Sequence, residues 1–145
     1  MACAESLEKL SLLDVSEPSL VQPLLQLSPL KETSLAAKID DIHTDFVIIE
    51  FLNRVFIVIT QRQTFSNLLS VTKDTPKTFE ETSDEIYTVK SIFGVDSDQS
   101  SQLVARFLCE HTSINKPALF ALGLKDHSPR TVRALRDIIN KHKSW

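Results

Sequence analysis

Three consecutive residues with catalytic types of side chain, Asp126, His127 and Ser128, lie near the C-terminus of this 145-residue chain. In a hydrolase, such groups form a relay in which a carboxylate orients a histidine that activates a serine for nucleophilic attack. That relay needs side chains that converge from separate parts of a fold, and consecutive loop residues do not converge. Ser128 is followed by Pro129, a pair typical of the N-cap and first position of a helix. We therefore interpret Ser128 as a helix cap.

The other residues that could do chemistry lack the spacing that a site requires. The four histidines are scattered, at His43, His111, His127 and His142. No pair of His, Cys or carboxylate side chains has metal-ligand spacing. Asp40 and Asp41 are adjacent, so on a strand they would point to opposite faces and are not a paired acid and base. Cys109 falls on a predicted helix and is interpreted as a small core or boundary residue rather than a nucleophile. We therefore predict no catalytic residue, no metal ion and no cofactor.

The composition excludes several other classes of function. The net charge of −3 arises within residues 1–34, because the remaining chain has equal numbers of acidic and basic side chains, and this balance does not favour nucleic-acid binding. Only two glycines occur, which argues against a phosphate-cradling loop. Two cysteines without framework spacing fit a reducing compartment. No signal peptide and no membrane-spanning apolar run are apparent, so we predict a cytoplasmic location and leave a nuclear one open.

The chain divides at about residue 34. Residues 1–34 contain three prolines and nine leucines, and no aromatic residue occurs before Phe46. We predict a flexible N-terminal extension here, and the alternative is a leucine motif that docks on a partner or on this domain. Residues 35–145 are predicted to form a single α+β domain.

Hydrophobic patterning within this domain predicts six strands and two helices. The predicted elements are strands over Leu35–Ile42, Phe46–Leu52, Val55–Thr60, Leu68–Val71 and Ile86–Phe93, a helix over Ser97–His111, a strand over Ala118–Leu124 and a helix over Arg130–Lys143. Asn53 and Arg54 are predicted to form a two-residue hairpin turn, and Asp96 to cap the first helix. The order β-β-β-β-β-α-β-α predicts a mainly antiparallel sheet of about six strands with two helices packed on it.

Three of the predicted strands are apolar on both faces. A half-buried strand alternates apolar and polar residues, but Phe46–Ile49, Val55–Ile59 and Ala118–Leu124 do not. Two helices cover one face of a sheet of this size. We expect the other face to be covered by the leucine-rich N-terminal segment or by a partner chain, because an uncovered face would be an unusually large apolar patch.

Two polar features are candidate contact regions. Arg130, Arg133 and Arg136 lie on the side of the last predicted helix opposite its apolar residues. They form either a solvated face or a contact to an acidic protein surface, for which the arginine side chain is well suited. The loop after the third strand is a second place where a scaffold carries recognition residues, at Gln61, Arg62, Gln63 and Thr64.

Three stretches of the chain are distinctive in their order and spacing: Phe46–Asp74, Tyr87–Gly94 and Pro117–Trp145, the last with its Leu-Lys-Asp-His-Ser loop, Arg-Ala-Leu-Arg sequence and terminal tryptophan. In these stretches the chain resembles the proteasome assembly chaperone 3 family. The resemblance covers about residues 35–145. The N-terminal extension and the loop over residues 73–85 depart from the family pattern, so no role is carried over to them.

The resemblance implies a non-enzymatic chaperone that pairs with a related small chaperone or with itself. Such proteins assist assembly of the alpha-subunit ring of the proteasome core particle, and alpha-type subunits are the implied partners. The implied fold agrees with the one that the patterning predicts. The alternative is a dimeric longin-like or roadblock-like scaffold in vesicle trafficking or signalling, which also uses a small α+β domain.

Overall fold

The computed structural model describes residues 30–74, 86–94 and 99–145. Most of the predicted N-terminal extension, most of the loop over residues 73–85, and Asp96, the predicted helix cap, therefore lie outside the described residues. The elements are β1 (Lys31–Ile39), β2 (Ile42–Glu50), β3 (Val55–Thr60), β4 (Asn67–Asp74), β5 (Ile86–Phe93), α1 (Gln99–His111), β6 (Ala118–Gly123) and α2 (Pro129–His142). This is the predicted order of elements, and Lys31–Trp145 form one compact unit.

The strands form one mixed six-stranded sheet in the order β1-β2-β3-β6-β4-β5. Four of the neighbouring pairs are antiparallel, and β3 with β6 is the parallel pair. The prediction of a mainly antiparallel α+β sheet is therefore confirmed. β6 lies inside the sheet, between β3 and β4, although it follows α1 in sequence. Its nearly continuous apolar sequence places apolar side chains on both faces of the sheet.

The first hairpin turns at Asp40 and Asp41, whose φ angles of 49° and 65° are both positive. Two consecutive positive φ angles are the geometry of a type I′ turn, which aspartate tolerates because its short polar side chain can bond locally. The first strand was predicted over Leu35–Ile42 but runs over Lys31–Ile39. The sequence missed its start because β1 is an edge strand, and the residues at its start are polar.

The second hairpin differs from the two-residue turn predicted at Asn53 and Arg54. β2 ends at Glu50 rather than at Leu52, and a four-residue connection is closed by the Phe51 backbone N–H, which donates to the Arg54 carbonyl at 2.9 Å. Neither Asn53 nor Arg54 has a positive φ, so the tight primed turn does not form. The longer connection leaves Leu52 80% exposed.

The core lies between one face of the sheet and the two helices. Its fully buried members include Phe46, Ile57 and Phe120 from the sheet and Leu108 and Leu135 from the helices. Every sheet residue of this core comes from the same face, which we call the covered face. Burial of these large apolar side chains is the main stabilising contribution to the fold.

The C-terminal tail is held against β2 and the loop after α1. The indole Nε1 of Trp145 donates to the carbonyl of Thr112 at 2.9 Å, and Lys143 Nζ donates to the same carbonyl at 3.0 Å. The carboxylate of Glu50 accepts from the Ser144 hydroxyl and, at 2.9 Å, from Lys116 Nζ. These bonds fix the final residues and connect three separate parts of the chain.

Glu50 is expected to make the stability of the protein depend on pH. The Ser144 hydroxyl, followed by Lys116, holds the pKa of Glu50 below its ordinary value of 4.5. Because the folded pKa is below the unfolded one, the stabilisation is complete above pH 4.5 and is lost as the pH falls through the folded value. We expect Glu50→Gln to flatten the fall of the urea unfolding midpoint between about pH 6 and about pH 3.

Asp137→Asn is the matched control for this experiment. The Asp137 side chain is 67% exposed and pairs with its neighbour Arg136, so its loss should leave the pH profile close to that of the unaltered chain. A Glu50→Gln profile that superimposes on the profile of the unaltered chain would contradict this account of the tail.

Candidate protein-interaction surfaces

The Asp126-His127-Ser128 run forms the N-terminal cap of α2. Ser128 is the N-cap residue, its side chain accepts from the backbone N–H of Thr131 at 3.4 Å, and Pro129 follows as the first helical residue. The carboxylate of Asp126 accepts from the Thr131 hydroxyl at 2.6 Å, and from the N–H and hydroxyl of Ser128 at 2.9 and 2.8 Å. These bonds, led by that of Thr131, hold the pKa of Asp126 below its ordinary value.

This cap leaves the serine without the arrangement that nucleophilic attack requires. The Ser128 hydroxyl donates to a carboxylate, whereas in a relay it would donate to an imidazole. The prediction that Ser128 caps a helix is confirmed. In the ranges 30–74, 86–94 and 99–145, no group of three His, Cys, Asp or Glu side chains is placed to hold a metal ion.

Cys109 lies inside the core, which is one of the two positions that the sequence leaves open. It is 2% exposed, and burial raises the pKa of its thiol to about 12. A thiol with so high a pKa is not a nucleophile at neutral pH, since the thiolate is the reactive form.

None of the helices built from described residues is of a length and hydropathy that would span a membrane.

The face of the sheet opposite the helices is apolar at its centre, and we call it the open face. Its central residues are Val47 and Ile49 on β2, Phe56 and Val58 on β3, Leu68 on β4, and Leu119 and Ala121 on β6. Except for Ala121, which is fully buried, they are half-buried. No residue of this face belongs to the core cluster among the described residues. The described helices therefore leave this surface available.

Charged side chains surround the apolar centre of the open face. Glu32 and Lys38 lie on the edge strand β1, Asp45 at the start of β2, and Lys90 on the opposite edge strand β5. An apolar centre with a polar and charged rim is the usual anatomy of a protein interface. The three strands predicted to be apolar on both faces, which are β2, β3 and β6, thus form the centre of the open face.

The predicted recognition loop lies at one end of the sheet, and its residues differ in exposure. Gln61 is 5% exposed and bridges elements, because its side chain donates to Thr44 Oγ1 at 3.2 Å and accepts from the backbone N–H of Lys125 at 2.8 Å. Arg62, Gln63 and Thr64 are exposed. That Gln61–Thr64 bind a partner stays a prediction, and three of the four have side chains free to do so.

Gly123 allows this loop to approach β6 closely. A Cβ atom at Gly123 would lie 2.0 Å from the backbone carbonyl oxygen of Thr64, a distance that no side chain could occupy. The Thr64 carbonyl also accepts from the Thr60 hydroxyl at 2.8 Å. The loop is therefore held at a fixed position, and its exposed side chains start from a defined backbone.

The three predicted arginines of α2 lie in different environments. Arg130 is 83% exposed and pairs with Asp40 of the first hairpin at 3.2 Å. Arg136 is 29% exposed, pairs with its neighbour Asp137 at 3.0 Å, and lies over the ring of Phe107 with its guanidinium carbon 5.9 Å from the centroid. Arg133 is exposed. Whether these arginines contact a partner stays a prediction.

The structure places the recognition loop close to the start of α2, the helix that carries the three predicted arginines. The backbone N–H groups of Lys125 and Asp126, just before α2, both donate to Gln61, so the recognition loop and the start of α2 share one end of the sheet. Arg62 and Gln63 line a polar depression of about 490 Å³ there with Lys125. Arg133 instead lines a groove between the two helices.

Several exposed apolar side chains were missed by the sequence reasoning. Leu52, Phe65, Phe93 and Leu103 are between 44% and 80% exposed. Phe65 and Phe93 lie at the same end of the sheet as the recognition loop, because Phe93 pairs with Leu68 near the start of β4. Periodicity assigns such residues to the core, so no signal in a single sequence separates them from buried ones.

The fold and its surfaces define the class of this protein: a small α+β protein with one mixed sheet, two helices on one face and an open apolar face. The family model described as proteasome assembly chaperone 3 matches residues 57–142. A relative named proteasome assembly chaperone 3, from Nematostella vectensis, is 31% identical over 109 residues, covering 69% of this chain and 79% of the relative. The chain therefore belongs to the proteasome assembly chaperone 3 family.

A solved structure is similar in fold. It is a chain from the crystal structure of a chaperone complex for yeast 20S proteasome assembly, with a TM-score of 0.63 and 13% sequence identity, and the match covers 77% of this chain and 97% of that one. At this identity the likeness concerns the fold alone. It agrees with the α+β architecture that the sequence predicts.

Proposed function

We propose that this protein is a non-enzymatic chaperone that assists assembly of the alpha-subunit ring of the proteasome core particle. It acts in the cytoplasm, with a nuclear location left open, and works as a dimer with a related small chaperone or with a second copy of itself. Membership of the proteasome assembly chaperone 3 family supports the role in assembly. The similar chain from yeast was crystallised in a chaperone complex, which supports pairing.

The observation that carries the proposal is the open face. Six strands about 4.8 Å apart and six residues long span a flat area of roughly 24 by 20 Å, or about 480 Å². This is a little over half of the roughly 800 Å² that one partner buries in a standard complex, so the open face can supply the centre of such an interface. A second sheet would pack face to face at a distance of about 10 Å. Val58 and Ala121, which lie side by side in the register of β3 and β6, are near the centre of this area.

The client surface is proposed to lie away from the open face. Arg62, Gln63 and Thr64 on the recognition loop, with Gln61 holding that loop in place, and the arginines of α2 contact alpha-type subunits in this account. Complementary charge would set the register of the complex and speed association, since electrostatics contributes more to specificity and on-rate than to affinity. The chaperone leaves when a later subunit competes for the same surface.

The test is co-purification from cells through an affinity tag on the full chain, followed by mass spectrometry. We expect proteasome alpha-type subunits and a second small chaperone among the recovered proteins. Recovery of small GTPases or vesicle-coat proteins in place of alpha subunits would contradict the proposal and favour the trafficking scaffold.

A charge-reversed variant locates the client surface in the same experiment. Replacement of Arg130, Arg133 and Arg136 by Glu should reduce recovery of alpha subunits roughly tenfold. The melting temperature should change little, because Arg130 and Arg133 are exposed and the ion pair of Arg136 is with its exposed neighbour Asp137. A collapse of the melting temperature would assign these arginines a structural role.

A further inference from the structure

A groove of about 550 Å³ lies between α1 and α2. Apolar side chains from both helices line it, including Leu103 and Phe107 on α1 and Val132 on α2. Leu103 and Phe107 are four residues apart, so they lie on the same side of α1. The groove is separate from the open face, because both helices pack on the covered face of the sheet.

The exposure of Leu103 is unusual for its position. It is 66% exposed in the first half of α1, and it borders both the groove and a second depression of about 350 Å³ that is lined by Tyr87 and Val89 on β5. A large aliphatic side chain between two depressions presents an apolar ridge to solvent. An exposed apolar ridge beside a groove is typical of a binding surface.

Basic side chains flank this apolar strip. Arg133 is exposed, lines the groove and has no carboxylate partner within the described residues. Arg106, also in the groove lining, pairs with Glu110 one turn along its own helix at 3.1 Å. Such exposed pairs within one helix are weak and exchange readily for a better carboxylate. The groove therefore complements a ligand that carries both apolar and acidic groups.

We propose that this groove binds an acidic amphipathic helix of another protein. Its apolar residues at i, i+3 and i+4 would contact Leu103, Phe107 and Val132, in the manner of a helix laid into a hydrophobic groove. Its carboxylates would pair with Arg133 and Arg106. The groove shares one residue, Arg133, with the proposed client surface. The proposal does not depend on the assembly function, because Leu103, Phe107 and Val132 belong to the groove alone.

A selection from a displayed library of random peptides on the purified full chain tests this proposal. We expect the enriched peptides to combine apolar residues at helical spacing with acidic residues. Fluorescence polarisation with a labelled enriched peptide should show that Leu103→Glu and Arg133→Glu each weaken binding roughly tenfold or more. Failure to enrich such peptides, or binding that neither substitution weakens, overturns the proposal.

Arg130→Glu is the matched control, because Arg130 is on the same helix but does not line the groove. It should leave peptide binding unchanged. Circular dichroism should show the same melting curve for Leu103→Glu as for the unaltered chain, because Leu103 is exposed. An equal loss of binding with Arg130→Glu would mean attraction by general positive charge and would overturn the proposal.

Two further arms detect other occupants of the groove. If Leu103→Glu lowers the mass of the assembly in light scattering, a second copy occupies the groove and the proposal is wrong. If neutralising the acidic stretch at Glu80, Glu81, Asp84 and Glu85 raises peptide affinity roughly tenfold, the chain's own acidic residues occupy it, and the proposal is again wrong. The peptide measurements contain no proteasome subunit. A negative result there would therefore contradict the groove proposal alone, and a negative co-purification would contradict the assembly function alone.

Discussion

Val58→Asp is expected to abolish pairing of this chain with the proposed partner chaperone while the fold is retained. Val58 lies at the centre of the open face, beside Val47 on β2 and Ala121 on β6. Its side chain is half-buried and belongs to no part of the core cluster. A carboxylate there would be buried without a counter-ion in the complex, so we expect affinity to fall roughly 100-fold or more. Native mass spectrometry of the tagged, co-purified complex measures the loss.

Ser34→Asp is the control for this substitution. Ser34 pairs with Val47 and lies on the same face, but on the edge strand β1, where it is exposed. The added charge is the same, and at the rim it stays in water, so pairing should weaken only slightly. Unchanged pairing of Val58→Asp would show that the open face is not the interface. Unfolding of Val58→Asp in circular dichroism would instead assign this face to the stability of the single chain.

Adjacent residues of β6 are expected to separate stability from binding. Phe120 is fully buried on the covered face, where it neighbours Ile57 and Leu69. Phe120→Ala should lower the free energy of unfolding by about 3–5 kcal/mol, through lost burial and the cavity left behind. Leu119 points to the open face and is half-buried. Leu119→Ala should lower the free energy of unfolding by only about 1 kcal/mol.

The binding of the partner chaperone should follow a different pattern. Leu119→Ala removes apolar surface from the centre of the open face, and we expect a loss of roughly tenfold in affinity. Chemical denaturation of each purified variant gives the stability, and titration with the purified partner gives the affinity. If Leu119→Ala proves as destabilising as Phe120→Ala, the two faces of the sheet are equally structural, which contradicts the division into a covered and an open face.

The sequence predicted most elements because their signals are local. β3 and β5 have the predicted bounds, and α2 begins at Pro129 after the predicted Ser128 cap. Apolar periodicity and capping depend on neighbouring residues, so they can be found in a single chain. The prediction for β1, Leu35–Ile42, begins four residues too late and ends three residues too late. Its polar edge residues carry little of this signal, and the turn at Asp40 and Asp41 contains neither glycine nor proline.

The parts that could not be predicted depend on contacts between distant residues. The parallel pairing of β3 with β6 joins strands on either side of α1, and its register is set by packing rather than by a turn. In the sequence, Gln61 is a polar residue of a predicted loop. In the structure its side chain is buried and accepts from the backbone N–H of Lys125, which lies 64 positions away in the chain. The groove between the helices exists only once α1 and α2 are packed side by side.

The two-sided apolar character of the central strands was the sequence feature that bears most on function. A strand pattern shows that both faces are apolar, but not which face the helices cover. The core cluster settles this for the described residues, since Phe46, Ile57 and Phe120 lie on the covered face and Val58 does not belong to the cluster. The proposed interaction surface is therefore the face whose residues do not belong to the core cluster of the described residues.

The central claim is that the open face binds a second small chaperone. Site-specific photo-crosslinking in cells tests it most directly, with Phe56 replaced by p-benzoyl-phenylalanine, because Phe56 is a half-buried aromatic residue on that face. We expect a crosslinked product between this chain and a related small chaperone or a second copy. Crosslinks confined to a segment of the same chain, or the absence of any product, would contradict it.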